Sequence, residues 1–256
     1  MKKLFSYILI FALGMATAAG AIFSPRAFAY AADGETSAQA TTEIFLPTTY
    51  LQYYKLEKPY AICREEIDGK EFVAISHKGA IVLYSDGKFK EIKVEDLNAA
   101  QGVPSLQLYE QKYLLFSAGS KLWTIDTETN IATETEIAGN DFSICGNELA
   151  IATSSNISFY TLSTSSGGLG YAKETDKTIS MNGVLSVLKS KNGKTYFFNT
   201  NTNTIHSVAD GETDVNKIET LKKVEGVRSL AESGDESDEN IYYSCVDGIF
   251  AVNTST

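Results

Sequence analysis

The chain has 256 residues, of which 43% are hydrophobic, so it can build the packed core of one large domain or two small ones. Its 22 Lys and Arg face 32 Asp and Glu, and this acidic balance disfavours nucleic acid and anionic lipid as partners. Three cysteines, an odd and small number, argue against a disulfide framework.

Residues 1–31 have the three-part pattern of a helical secretory signal peptide. Lys2 and Lys3 precede about 20 uncharged, mostly apolar residues, and two small-residue cleavage motifs follow near residue 30. We predict cleavage and a secreted or cell-surface location. An uncleaved membrane anchor is the alternative, because about 20 apolar residues can also span a bilayer. Cleavage would also remove Arg26, leaving 19 of the 22 basic residues against 32 acidic ones, a formal charge of −13.

A repeated strand pattern occupies residues 43–256, after a predicted flexible spacer at 32–42. In each of five repeats an apolar strand is followed by a short polar turn and a second alternating strand. The apolar strands are spaced by 41, 36, 47 and 45 residues and begin at Phe72, Tyr113, Leu149, Tyr196 and Ile241. Their partner strands are spaced by 41, 35, 48 and 44 residues and begin at Ile81, Leu122, Ile157, Ile205 and Ile249. Two independent sets of positions therefore give the same repeat.

Further apolar segments extend each repeat towards four strands. One segment lies upstream of every apolar strand, at 60–63, 106–109, 142–145, 184–188 and 227–230. Hairpin signals such as Asp68-Gly69, Gly146-Asn147 and Asn192-Gly193 follow three of these segments. Downstream segments at 89–94 and 131–137 supply a possible fourth strand. Four strands in about 40–45 residues, with no long helical period after residue 31, predict an all-β fold, a β-propeller of about five four-stranded blades.

Two of the five repeats resemble the YVTN-type propeller repeat. They are residues 113–130 (YLLFSAGSKLWTIDTETN) and 196–208 (YFFNTNTNTIHSV). The other three repeats keep the strand spacing and lose the signature letters. The resemblance implies a secreted or surface-associated bacterial propeller protein, and it does not imply one activity.

The fifth repeat contains three strands before residue 256. The apolar segment at 42–46 (TEIFL) precedes the first repeat and is a candidate for the missing fourth strand, which would close a ring of five blades. Without such a strand the last blade would keep an unpaired edge that invites aggregation. The alternative is a longer protein with further blades after residue 256.

We find no catalytic motif and no metal or cofactor site in the sequence. His77 and His206 are the only histidines, and we interpret them as exposed or packed on strands, because a metal site needs several converging ligands. We interpret Cys63, Cys145 and Cys245, each in an apolar stretch, as small buried hydrophobic residues.

Three polar segments imitate functional motifs. Residues 191–195 (KNGKT) resemble the end of a phosphate-binding loop but lack its first glycine, and we predict a hairpin turn. The glycine-rich segment 167–170 fails the dinucleotide pattern, and we predict a long surface loop. The acidic segment 234–240 lacks the glycine of a calcium loop, and we predict a solvated turn.

These features favour a non-catalytic binding or scaffold protein outside the cytoplasm that contacts protein or glycan through propeller loops. A secreted polysaccharide hydrolase or lyase with carboxylates at the central channel is one alternative, and a structural cell-envelope component is another. Aspartates in turns are the candidate acids, but turns favour Asp for conformational reasons too: Asp68, Asp86, Asp126 and Asp141. Aromatic residues that can stack on sugars or pack strand junctions precede the first repeat: Tyr50, Tyr53, Tyr54 and Tyr60.

Overall fold

The computed structural model describes residues 59–77, 79–85, 87–94, 105–235 and 237–254. They belong to one compact unit that begins at residue 59. Within the described ranges the chain is all β, apart from one short 3-10 helix at Val215–Lys217. The predicted signal peptide, the spacer and the candidate closing strand at 42–46 lie outside the described residues.

The described strands form five antiparallel sheets, in chain order. Sheet 1 contains β1 (Ala61–Ile67), β2 (Lys70–His77), β3 (Ala80–Ser85) and β4 (Lys88–Lys93). Sheet 2 contains β5 (Leu106–Tyr109), β6 (Tyr113–Ala118), β7 (Lys121–Asp126) and β8 (Ile131–Ala138). Sheet 3 contains β9 (Asp141–Cys145), β10 (Glu148–Ala152), β11 (Asn156–Ser165) and β12 (Gly168–Ser180). Sheet 4 contains β13 (Val184–Lys189), β14 (Lys194–Asn199), β15 (Thr204–Ala209) and β16 (Glu219–Lys223). Sheet 5 contains β17 (Ser229–Glu232), β18 (Asn240–Cys245) and β19 (Gly248–Asn253).

This architecture is a five-bladed β-propeller, and each sheet is one blade. Strands pair with their neighbours in sequence, so every blade is a simple meander. The first strands of successive blades from β1 to β17 adjoin one another. The predicted four strands per repeat are confirmed for sheets 1–4, and sheet 5 has three strands among the described residues.

Turn chemistry sets the strand boundaries. Asp68 and Gly69 form the two-residue connection between β1 and β2, and both have positive φ, 50° and 73°. Two positive φ values define the hairpin turn whose twist matches that of the paired strands, and Asp-Gly is one of the few sequences that adopt it readily. The segment 191–195 contains the turn between β13 and β14, as predicted.

The core of the protein lies between the sheets. Four clusters of buried side chains each combine residues from two consecutive sheets. Strand β6 shows how one strand serves two clusters: Leu114 and Phe116 pack with residues of sheet 1, and Leu115 packs with residues of sheet 3. Both faces of a middle blade are therefore buried, and this explains the continuous apolar runs of the second strands.

Some outer strands were not apparent from sequence. Strands β4 and β8 were predicted, but β12 and β16 are rich in charged residues and lack an apolar run. The prediction of a long loop at 167–170 is wrong, because β11 and β12 continue as a long hairpin in which Ser163 pairs with Gly170. A Cβ at Gly170 would lie 3.0 Å from the hydroxyl of Ser163, its partner on β11.

Replacing Phe116 with Ala should destabilise the propeller. Phe116 is fully buried between sheets 1 and 2, and truncating it leaves a cavity that costs about 3–5 kcal/mol. Urea denaturation followed by tryptophan fluorescence measures the change. Ile131→Ala is the matched control, because Ile131 is 62% exposed and its loss should cost about 0.5 kcal/mol or less. Equal losses in the two variants would contradict the packing described.

Candidate functional site

The first strands of sheets 2–5 surround a cavity of about 130 Å³, which we call the axial cavity. Its walls combine polar and apolar side chains from the start of these strands and from the residues just before them. The lining residues are Ser105, Gln107, Asn140, Asp141, Phe142, Ser143, Leu185, Ser186, Val187, Leu188, Arg228, Ser229 and Leu230.

Two side chains of the axial cavity bind the backbone of the next blade. The Gln107 side-chain oxygen on β5 accepts a hydrogen bond from the Ile144 backbone N–H of β9 at 2.6 Å. The Asp141 carboxylate on β9 accepts one from the Val187 backbone N–H of β13 at 3.0 Å. Because β9 and β13 are edge strands of their sheets, these bonds satisfy N–H groups that no strand of the same sheet can reach.

The surroundings of Asp141 change its acidity. Burial disfavours the carboxylate and raises the pKa of Asp141 to about 6. Hydrogen bonds from the Val187 backbone, the Ser186 hydroxyl and the Phe142 backbone oppose this rise by stabilising the charged form. The carboxyl group of Asp141 therefore makes most of its hydrogen bonds within the protein. We interpret it as a structural link between blades 3 and 4.

Two other groups of the axial cavity have no such partner. Ser143 is 2% exposed, and its hydroxyl makes no hydrogen bond with the described residues. Arg228 is exposed, and within the part of the chain that the structure describes its guanidinium makes no hydrogen bond or ion pair. A buried hydroxyl without a partner is unfavourable unless a ligand or water binds it, so the Ser143 hydroxyl and the exposed Arg228 guanidinium are both available to a ligand.

A second set of polar contacts, two ion pairs and a hydrogen bond, joins blades 3, 4 and 5. The ammonium group of Lys189, 1% exposed, lies 3.0 Å from Glu148 and 2.7 Å from Asp210. Burial lowers the pKa of Lys189, but the bonds to Asp210 and Glu148 outweigh it, so that the pKa is raised overall. Glu232 of sheet 5 accepts a hydrogen bond from the Ser190 hydroxyl at 2.7 Å. Each of these groups has a partner within the protein, and we interpret the contacts as stabilising the packing of the blades.

A wider cleft of about 650 Å³ lies between sheets 1, 2 and 3. It includes Arg64, Glu65 and Glu110. Arg64 donates a hydrogen bond to Glu71 at 2.7 Å on the neighbouring strand. The cleft therefore brings two carboxyl groups of different blades, Glu65 and Glu110, to one concave surface.

Among the candidate acids and aromatic residues predicted from the sequence, the structure places only Asp141 at the axial cavity, of those that it describes. Asp68 lies in the β1–β2 turn, and Asp126 accepts hydrogen bonds from backbone N–H groups of its own turn. Asp86 and the cluster Tyr50, Tyr53 and Tyr54 lie outside the described residues, and Tyr60 is 43% exposed just before β1. The described residues of the acidic segment before Asn240 lie in the predicted turn between β17 and β18, and Asn240 begins β18.

The histidines and cysteines are dispersed. His77 is buried at the end of β2, and His206 on β15 stacks on Phe197 at 5.2 Å. Burial lowers the pKa of His206.

Cys63 is buried between sheets 1 and 2, and burial raises the pKa of its thiol to about 12, so it is poorly nucleophilic. Cys145 and Cys245 are half-buried, and none of the three is in a disulfide.

The described residues contain no group of three or more His, Cys, Asp or Glu side chains arranged to hold a metal ion. Within the same ranges, no helix has the length and apolarity needed to cross a membrane.

Comparison with known proteins finds similarity at the level of the fold. No protein-family model matches the chain, and no curated protein sequence matches it either. Solved propeller structures do match. The extracellular domain of a hybrid two-component system of B. thetaiotaomicron is 14% identical with a TM-score of 0.55, and the match covers 79% of this chain and 27% of that one. The β-propeller domain of Cps50 (Swd1) of Myceliophteria thermophila is 10% identical with a TM-score of 0.52, over 72% of this chain and 66% of that one.

PorZ, a surface component of the type-IX secretion system of Porphyromonas gingivalis, is 16% identical with a TM-score of 0.50. The match covers 77% of this chain and 27% of PorZ. The chain therefore spans less than a third of the length of both bacterial structures. Identities this low show a shared propeller fold alone.

The stability of the protein should fall as pH rises through the titration of Asp141. Because its folded pKa of about 6 lies above the usual 3.8, the folded chain holds a proton that the unfolded chain releases between these values. The resulting stabilisation is complete below pH 3.8 and is lost as pH rises through about 6.

Asp141→Asn isolates this effect. The free energy of unfolding of the native chain, measured relative to the variant, should decrease by about 2–3 kcal/mol between pH 4 and pH 7. Urea titrations at both pH values provide the measurement. A difference between the two proteins that does not change with pH would show that Asp141 is an ordinary exposed carboxyl group.

Proposed function

We propose that this chain is an extracytoplasmic, non-catalytic binding or scaffold protein of the YVTN-like propeller type. The observation that carries the proposal is the axial cavity, where Ser143 and Arg228 are available while Gln107 and Asp141 are held by contacts between blades. A concave site with a few available polar groups can recognise a ligand, and its volume of about 130 Å³, below the roughly 300–1,000 Å³ of typical small-molecule sites, suits a small part of a larger ligand. The ligand is a protein segment or a glycan, because both offer acceptors for a guanidinium and a hydroxyl.

Two further features support a role outside the cytoplasm, and the net charge bears on the kind of partner. The sequence begins with a signal-peptide pattern. Matching structures include an extracellular domain and a bacterial surface component. The formal net charge of −10 weakens binding to phosphate-rich partners, so nucleic acid is excluded from the proposal.

The test is a screen of the purified chain on a glycan array and against extracellular proteins, followed by substitution of Arg228. Arg228→Ala should weaken binding to any ligand that is found by about tenfold or more, since it removes a charged hydrogen-bond donor worth about 1.5–3 kcal/mol. Arg64→Ala is the control: it also removes one guanidinium, but from the wider cleft. Equal effects of the two substitutions would contradict recognition at the axial cavity.

A polysaccharide hydrolase or lyase is the second candidate, and one observation favours it. Glu65 and Glu110 line the same cleft, and glycoside hydrolysis requires two carboxyl groups on one concave surface. Under this alternative, Glu65→Gln and Glu110→Gln would each lower polysaccharide cleavage by about a hundredfold or more. Reducing-sugar release is the measurement. No release from a panel of cell-wall and capsular polysaccharides would eliminate this candidate.

A further inference from the structure

The axial cavity has few charged groups. Of the described residues that line it, only Asp141 and Arg228 have ionisable side chains. Asp141 is held by hydrogen bonds from Val187 and Ser186, which partly compensate its negative charge. Arg228 is exposed and makes no such contact within the described ranges. The charge of this lining that remains free to meet a ligand is therefore positive.

The hydroxyl of Ser143 is directed to the same cavity. Residues two apart on a strand share a face, so Ser143 lies on the face of β9 from which Asp141 reaches β13. Phe142, between them, points the other way, into the core of sheets 2 and 3. The Ser143 hydroxyl is buried and has no partner among the described residues. The cavity therefore offers a hydroxyl donor in addition to a guanidinium.

An apolar side chain joins these donors because β13 is irregular. The pairing of β13 with β14 skips Leu185, which is the extra residue of a β-bulge. Bulges redirect side chains and are frequent next to functional sites. Leu185 lines the cavity and is 44% exposed, whereas Val184 and Ser186 on either side of it are buried. The bulge therefore places an exposed aliphatic group at the cavity.

This lining suits a peptide better than a sugar. Aromatic rings are the side chains that stack on sugar faces. Phe142 is the one aromatic residue of the lining, and it is 1% exposed and packed in the core. A guanidinium and a hydroxyl match a carboxylate, and a leucine matches an aliphatic neighbour of that carboxylate. Acidic peptide segments combine these two groups.

We propose that the axial cavity binds a carboxylate group of an acidic, aliphatic segment of a partner protein. The Arg228 guanidinium and the Ser143 hydroxyl donate hydrogen bonds to the carboxylate, and Leu185 contacts the aliphatic side chain beside it. The cavity, of about 130 Å³, holds this group while the rest of the segment stays outside. The inference rests on the proposed function, because it assigns a ligand to the same cavity.

Short peptides test the carboxylate directly. The probes are acetyl-Leu-Glu amide and acetyl-Leu-Gln amide, which have nearly the same size and differ in charge. NMR titration of the isotope-labelled protein follows the Arg228 side-chain N–H and the Ser143 backbone N–H. The acidic peptide should saturate these shifts at a concentration at least about tenfold lower than the neutral one, since hydrogen bonds between charged partners are stronger. Its affinity should fall at high salt.

A third probe distinguishes the two sources of a peptide carboxylate. Acetyl-leucine presents a terminal carboxylate beside the leucine side chain, whereas acetyl-Leu-Glu amide presents a side-chain carboxylate. Binding of either acid supports the site, and the one that binds more tightly assigns the ligand group to a chain terminus or to an acidic side chain.

Substitutions locate the site. Arg228→Gln should weaken binding of the acidic peptide about tenfold or more, and Arg228→Lys, which keeps the charge, should weaken it less. Ser143→Ala should weaken binding about fivefold or more without lowering the urea midpoint, because its hydroxyl has no partner in the free protein. Arg64→Gln is the matched control, since it removes an exposed guanidinium from the wider cleft, and it should bind within about twofold of the native chain.

Equal affinity for the acidic and neutral peptides would refute the carboxylate site, as would resonances that neither acid shifts or binding that Arg228→Gln and Ser143→Ala leave unchanged. A glycan or a neutral peptide that binds the native chain and is lost in Arg228→Ala would refute this inference while leaving the proposed function intact. A natural ligand whose binding depends on neither Arg228 nor Ser143 would refute both.

Discussion

A four-stranded sheet is too narrow to bury its own apolar faces, and every other feature of this molecule depends on that constraint. Each of the four described core clusters contains side chains of two consecutive blades, so stability belongs to interfaces and not to single blades. Sheet 5 illustrates the constraint: its face towards sheet 4 is buried, while its opposite face exposes Ile249 and Ala251.

Polar contacts then fix the angle between blades. Near the axis, side chains such as Gln107 and Asp141 reach across to backbone N–H groups of the next first strand. Lys189 joins blades 3 and 4 through Glu148 and Asp210. These donors and acceptors already bind one another across the blades. A ligand can therefore use only the polar groups that make no contact between blades.

The fold could be predicted from the sequence because the second and third strands of each blade are apolar and recur at similar spacings, between 35 and 48 residues. The outer strands β12 and β16 could not, since strands that face solvent need charge and lose the apolar signal. The axial cavity was also beyond sequence reasoning. Asp141 could be noted as one aspartate among several, but its contact with Val187 joins residues 46 positions apart. Its burial arises only once blades 3 and 4 pack together.

Strand β6 also shows how insertions and deletions must be distributed in this chain. Neighbouring residues of that strand belong to different interfaces, with Leu114 directed to sheet 1 and Leu115 to sheet 3. A single residue inserted before them would exchange these roles and damage two interfaces at once. The uneven lengths of the repeats must therefore be absorbed in connections and outer hairpins, as the extended β11–β12 pair illustrates. Length can evolve at the rim of such a ring, while the register of its inner strands stays constant.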